Sequence, residues 1–556
     1  MIPLYEDRKS RKQNKQQRAA AFAAGKHVPT SQITQLLSAL IEPNDTVLME
    51  GDNQKQATFL AKALTTLDPS AVHNLHLIIP SLQLDEHLEL FQKGIASTLD
   101  FSYSGNQSKS IVTMIRSGKL AIRSLQTFME LYGRLFIDLS PDICLIAAEA
   151  ADAEGNLYTG GNTEDTPVLV ESTAFREGIV IAQVNEILDS VPRVDIPGSW
   201  VDYVVQADEP CLIDPIFTRD PALIKDVHVL MAMMAIKGIY AKHAVKRLNH
   251  GIGFNTAAIE LLLPTYGEQL GLKGKICTNW MLNPHPTLIP AIESGWVDSV
   301  LVPGGELGME AYTAAHPNIF PLGRDGSLRS NRAYSHMAGQ YGLDMFIGAT
   351  LQMNALGDSS TVTSTRLTGF GGAPNLGSNP NGRRYANESW ISMHTKSSPD
   401  RGRKCVVQML QTTSSRGPNF VETLDAVEMG KTVGLAETPI MIYGNDTSHI
   451  VTEKGIAYLY LADSVETRKK MVAAVAGDTP IGRSISPDEI DALRKKGYVA
   501  FPEDLGIDPA SATRDWLAAK NLEDLVIWSK GLYHIPDKLK SSIVHSANCQ
   551  TPNTNS

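Results

Sequence analysis

Four runs in the first half of the chain limit its fold most: Thr46–Glu50, Leu75–Pro80, Ile143–Ala148 and Ile179–Val184. Each has strand length and is largely apolar. A strand with one wet face alternates polar and apolar residues, so near-continuous apolar runs indicate a sheet covered on both faces. Helical patterns fill the intervals, as in residues 54–64 after the Gly51-Asp-Asn turn. Strand, turn and helix repeated in that order predict a mostly parallel α/β sheet flanked by helices. Ser31, as a cap, predicts a helix over 31–40 ahead of these units.

The rhythm breaks between residues 208 and 223, where Pro210, Pro215 and Pro221 disfavour a continuing helix. It then resumes. An alanine- and methionine-rich helix is expected up to Lys246, with Met231, Met233 and Met234 as core filler, then a glycine turn at His250-Gly-Ile-Gly and a helix through Leu263. Strands are expected near Ile276, Val300 and Phe346, at Cys405–Leu410 and at Pro439–Tyr443, before a helical tail. A chain of 556 residues exceeds a single core. The expected division is a basic arm over 1–28, one α/β domain over 29–217 and a second over 218–556.

Composition removes several classes of function. The formal net charge of −10 argues against nucleic acid as the main partner. No apolar run approaches the ~20 residues of a membrane span. The first 22 residues lack the apolar core of a secretory signal and form a basic segment, Arg8 to Arg18, that is either mobile or laid on an acidic neighbour. Five widely spaced cysteines give no disulfide framework and point to a reducing cytoplasm. The histidines show no ligand spacing, so no metal is expected.

The chemistry is expected in the stretch from Phe346 to Trp390, dense in glycine, asparagine and small hydroxyl residues. A strand from Phe346 to Leu351 would emerge at Gln352 and Asn354, and a polar strand tip is a natural place for a reacting group. Gly369-Phe370-Gly371-Gly372-Ala373 follows, with Asn375 close behind. Glycines there tolerate positive φ and let backbone approach a ligand, whose oxyanion or phosphate N–H groups can meet. A second turn, Gly251-Ile-Gly253-Phe-Asn255, opens a helix whose N-terminus attracts anions. It lacks the third glycine of a dinucleotide fingerprint.

These residues resemble a known family. His250-Gly-Ile-Gly-Phe-Asn, the Gln352 strand with Gly369-Phe-Gly-Gly, and Val451-Thr-Glu-Lys-Gly-Ile-Ala look like the ordered motifs of the CoA-transferase superfamily. Ile143–Asn156 and Val180–Glu186 are similar to its N-terminal domain. Within it, Asn331–Met337, Gly369–Gly377 and Gly382–Trp390 resemble the malonate decarboxylase α subunits closely. The resemblance implies two CoA-transferase-like domains and transfer of an acyl carrier protein's thiol from acetate to malonate: acetyl-S-ACP plus malonate gives malonyl-S-ACP plus acetate. It also implies separate β and γ subunits that decarboxylate the malonyl thioester. The chain would hold no cofactor of its own, acting on the carrier's phosphoribosyl-dephospho-CoA arm or on CoA.

Many CoA transferases carry a nucleophilic glutamate where this chain has Gln352. An amide cannot attack, but it can donate to an oxyanion. The implied mechanism is direct attack by a malonate carboxylate on the acetyl carbonyl, with Gln352, Asn354, Gly371 and Gly372 as catalytic candidates. Gly251, Gly253, Asn255, Gly369, Phe370, Ala373 and Asn375 are the thioester-binding candidates. Arg366, Arg383 and Arg384 are candidates for malonate's second carboxylate. A shifted alignment would leave Glu306, Glu310, Glu388 or Glu453 as a nucleophile. Two rivals stand beside this reading: a covalent CoA transferase or acyl-CoA hydrolase, and a non-catalytic scaffold that binds the carrier.

Overall fold

The computed structural model describes residues 5–52, 54–211, 213–320, 332–378 and 404–540. The four apolar runs form neighbouring strands in the middle of the first sheet. Its order is His27–Val28, Tyr203–Gln206, Ile179–Ile187, Ile143–Ala151, Thr46–Met49, Leu75–Leu82, Ala96–Ser104 and Ala121–Leu125, all parallel. Leu157–Tyr158 adds a short antiparallel pair to Ile143–Ala151. Every residue of Leu75–Leu82 is buried. Alternate side chains feed two cores: Val47, Met49, Leu77 and Ile79 face one layer, Leu48, Ile78, Cys144 and Ile146 the other. That period of two in an apolar run is the signature of a sheet covered on both faces.

The second sheet runs Ser299–Leu301, Asn279–Met281, Arg247–His250, Met345–Ala349, Cys405–Met409, His449–Val451, Ile456–Ala457 and Val499–Ala500. The first six strands pair in parallel and the last two pairings are antiparallel. Met231, Met233 and Met234 are buried in its core. Their helix, Asp226–Ala235, passes into a wider turn at Ile236–Tyr240, short of Lys246.

Pro439–Tyr443 is not a strand. Ile442 makes a single bridge to Ser359, and the sheet position is taken by His449–Val451. The strand near Ile276 begins three residues later, at Asn279. The basic segment is a helix, Tyr5–Ala19, laid on acids at the N-terminal ends of the first sheet's strands. Arg11 pairs with Glu42 at 3.0 Å and Asp142 at 3.2 Å, and Lys12 with Asp202 at 2.9 Å. Asp142 and Asp202 also accept from the backbone N–H groups of Thr46 and Val180, so one carboxylate ties helix to strand. No helix among the described residues is long and apolar enough to cross a membrane.

Candidate active site

A cavity of about 390 Å³ opens where the first domain meets the C-terminal ends of the second sheet's central strands. Tyr103 and Phe128 line it from the first domain, Gly251 and Gly348–Leu351 from the second sheet's strand ends, and Gly369–Ala373 close another side. Both glycine turns therefore reach one cavity.

The two turns are built differently. Gly369 and Gly371 have φ of +76° and +58°, and the N–H groups of Phe370 and Gly371 both donate to the Ser102 carbonyl, at 2.8 and 2.9 Å. This loop is spliced onto the end of the Ala96–Ser104 strand, where a Cβ on Gly369 would stand 2.4 Å from Ser102 O. Glycine there allows close approach between domains, and those two N–H groups are already occupied by the Ser102 carbonyl. The N–H groups of Gly372 and Ala373 make no hydrogen bond among the described residues. At the other turn Gly251 N–H donates to Ile347 O at 2.7 Å, and Thr256 Oγ1 donates to the carbonyls of Gly251 and Gly253.

Gln352 is placed elsewhere. The strand Met345–Ala349 stops short of it, and Gln352–Met353 pairs with Ser359–Ser360 instead. The Gln352 Oε1 accepts from Asp425 N–H at 2.9 Å, satisfying the first turn of the helix Asp425–Val433, and the residue is not among those lining the cavity. Asn354 folds its own turn, accepting from the N–H groups of Leu356 and Asp358. Arg366 is exposed in a small hairpin with Thr363. Gly253, Asn255 and Asn375 also lie off the cavity wall, the two asparagines with a buried Oδ1 that finds no partner among the described residues. Arg383, Arg384 and Glu388 lie outside the described residues. Of the other alternative acids, Glu310 is exposed and Glu453 accepts from Thr412 N–H at 2.9 Å. Glu306 is buried behind the wall, accepting from the N–H groups of Phe217 and Thr218 and from Gln54; burial pushes it up to about 8.

Two ionic clusters back the cavity. Around Arg332, whose guanidinium lies 4.6 Å over the Phe128 ring, Glu164 and Asp165 form ion pairs, and Tyr132 OH donates to Asp165 at 2.5 Å. Lys55 Nζ lies 3.3 Å from Glu50, whose other oxygen accepts from Ala147 N–H. Burial raises Glu50, Asp52 and Asp165 above the usual carboxylate range. The second cluster centres on Glu260. Its Oε1 is 2.8 Å from His250 Nδ1 and 3.0 Å from His285 Nδ1, and Oε2 accepts from Thr287. These neighbours overcome burial and hold Glu260 well below the usual range. His250 and His285 line the cavity, as do Asn283 and His336.

None of these side chains was named as a site residue from the sequence. Arg332 and His336 sit in the quoted Asn331–Met337 motif, and His285 stands in Asn283-Pro-His-Pro, a proline-framed turn that was a usable signal. Another clustering hidden by distance along the chain is His243, Cys405 and His449, whose donor atoms lie within 4.8 Å of one another in the second core.

The sequence matches the family described as malonate decarboxylase, alpha subunit, transporter, over residues 4–542. It is 52% identical over 524 residues to the acetyl-S-ACP:malonate ACP transferase of Malonomonas rubra, covering 93% of this chain and 95% of that one. Its fold superposes with a TM-score of 0.94 on a chain of a Pseudomonas malonate decarboxylase hetero-tetramer crystallised with malonate, at 56% identity over 96% of this chain and 99% of that one. An acyl-CoA transferase from Escherichia coli shares the fold alone, with a TM-score of 0.50 and 15% identity over 77% of this chain and 87% of the other. The chain belongs to the malonate decarboxylase α-subunit family, built on the CoA-transferase fold.

Proposed function

We propose that this chain is an acyltransferase that exchanges acetate for malonate on an acyl-carrier-protein thioester, with the cavity between the two glycine turns as its site. The reaction is acetyl-S-ACP plus malonate to malonyl-S-ACP plus acetate, and the thiol belongs to a phosphoribosyl-dephospho-CoA arm or to CoA. The observation that carries the reading is the convergence of both family glycine motifs on one cavity roofed by aromatic residues of the first domain. Apolar walls exclude water from an anhydride that water would destroy. Its partners are the carrier protein and the β and γ decarboxylase subunits, and its setting is the cytoplasm.

The step is direct: a malonate carboxylate oxygen attacks the acetyl carbonyl, the carrier sulfur leaves, and that sulfur then attacks the malonyl carbonyl to expel acetate. Side chains lining the cavity among the described residues offer imidazoles, amides and one guanidinium, but no carboxylate. Holding thioester and malonate side by side supplies the advantage of proximity. Gly372 and Ala373 N–H groups, without other partners among the described residues, are the oxyanion donors in this scheme. Arg332, paired with Glu164 and Asp165, is the only arginine or lysine lining the cavity among the described residues, and in this scheme it faces the dicarboxylate.

Purified chain incubated with malonate and either acetyl-CoA or acetylated carrier tests the reading. Malonyl thioester and acetate forming in equal amounts is the expected result. Failure with both donors would leave a carrier-binding scaffold.

A further inference from the structure

We propose that His285 is an acid–base residue of this exchange, passing a proton to and from the carrier sulfur with Glu260 as its fixed counter-charge. The inference rests on the transferase reading above. Three imidazoles line the cavity, and their surroundings separate them. His250 is occupied at both nitrogens, Nδ1 by Glu260 at 2.8 Å and Nε2 by Tyr240 OH at 2.8 Å. His336 stacks on Phe128 at 5.6 Å with no carboxylate partner among the described residues, and burial beside Arg332 pushes it down to about 3, so it stays neutral.

His285 is different. An ionised carboxylate only accepts, so the 3.0 Å contact to Glu260 Oε1 fixes the proton on His285 Nδ1. The ring is held flat against Phe217, with centroids 5.6 Å apart. Its Nε2 makes no hydrogen bond among the described residues, and the side chain faces the cavity. Glu260 is itself fixed by His250 and by Thr287, so the carboxylate is held in place before any ligand arrives. A buried carboxylate on one imidazole nitrogen, with the other open to substrate, both orients the ring and stabilises its charged form.

The chemistry needs such a group twice. When malonate attacks the acetyl carbonyl, the C–S bond breaks and its electron pair goes to sulfur. The Nε2 proton of the His285 imidazolium moves to that sulfur, leaving a thiol, a neutral imidazole and the acetyl–malonyl anhydride. In the return step the thiol attacks the malonyl carbonyl, its proton goes back to Nε2, and the anhydride C–O bond breaks to release acetate. Charge and protons balance over the cycle, and His285 ends as it began.

The test compares acetyl-CoA with an aryl acetyl thioester, whose thiolate departs without help, in the wild type, in His285→Asn and in His285→Ala. Asparagine keeps a donor toward Glu260 and so preserves the local fold, which circular dichroism and thermal melts check. In His285→Asn, kcat/KM with acetyl-CoA is expected to fall about 10²–10³-fold, against less than about five-fold with the aryl thioester. Added imidazole should restore part of the acetyl-CoA activity to His285→Ala. Equal losses on both thioesters without rescue would make His285 a structural residue and overturn the proposal, as would unchanged activity. A wild-type chain that transfers neither acyl group would refute the transferase reading itself, and the inference with it.

Discussion

Glu260 and Asp165 are both fully buried carboxylates backing the same cavity, yet burial leaves them in opposite states. Asp165 shares its surroundings with Asp52 and Glu50, so desolvation and like charge together raise it, and the Tyr132 hydroxyl and Lys55 do not offset them. Glu260 sits among two imidazoles and a threonine hydroxyl with no second acid bonded to it, and it stays ionised. The charges set around a carboxylate, more than its depth, decide the outcome: imidazoles beside Glu260, further acids beside Asp165. The first cluster knits Arg332 to the first domain. The second aims a polarised imidazole at the cavity.

The contrast is broken most severely by removing the carboxylate that has no acidic neighbour to take its place. Glu260→Ala strands His250, His285 and Thr287, and a loss of about 3–5 kcal/mol is expected in urea unfolding, the usual result of deleting one partner of a buried charged set. A loss below ~1 kcal/mol would mean that Glu260 is not the ionised centre described.

The two clusters also give stability opposite pH slopes. Asp165 is raised above its value in the unfolded chain, so between about pH 4 and its folded value the folded protein holds a proton that the unfolded chain has released, and stability falls as pH rises. Glu260 is lowered, so its contribution is complete above about pH 4.5 and is lost only as pH falls further. Asp165→Asn keeps the acceptor for Tyr132 and is expected to reduce the fall in unfolding free energy between pH 5 and pH 7, read from urea unfolding at the two pH values. An unchanged pH 5 to pH 7 difference would place Asp165 among ordinary ionised acids.

Gln352→Ala should have the smallest effect. Loss of a side-chain acceptor at a helix start costs about 1 kcal/mol, and exchange activity is expected to stay within a few-fold of wild type. A 100-fold loss of activity in a folded variant would return Gln352 to the reacting centre.

Gln352 shows where reading the chain locally stops. Its place at a strand tip before Gly369-Phe-Gly-Gly fits a reacting residue, but its partner is Asp425, 73 positions away, and no local pattern announces that bond. Four central strands of the first sheet were legible because burial on both faces writes itself into consecutive residues, whereas Ala96–Ser104, Ala121–Leu125 and Tyr203–Gln206 were not read from the sequence. The turn at Gly369 and Gly371 was legible because positive φ is a local demand, although the close approach to Ser102 that it serves is not. The cavity's working side chains come together only through the fold. His285 and Glu260 are 25 residues apart, and Phe128 reaches Arg332 and His336 from the other domain. Pro439–Tyr443 reads as a strand by composition but lost that role because its one pairing, Ile442 with Ser359, serves the small hairpin after Gln352.

Direct attack by malonate predicts where one oxygen atom goes. In a single turnover with excess enzyme, acetyl thioester and malonate labelled with ¹⁸O in its carboxylates, the anhydride's bridging oxygen comes from malonate and leaves with acetate. Mass spectrometry should therefore find one ¹⁸O in the acetate of the first turnover. Unlabelled acetate, with ¹⁸O retained on a glutamate of the enzyme, would contradict the direct mechanism and establish a covalent intermediate.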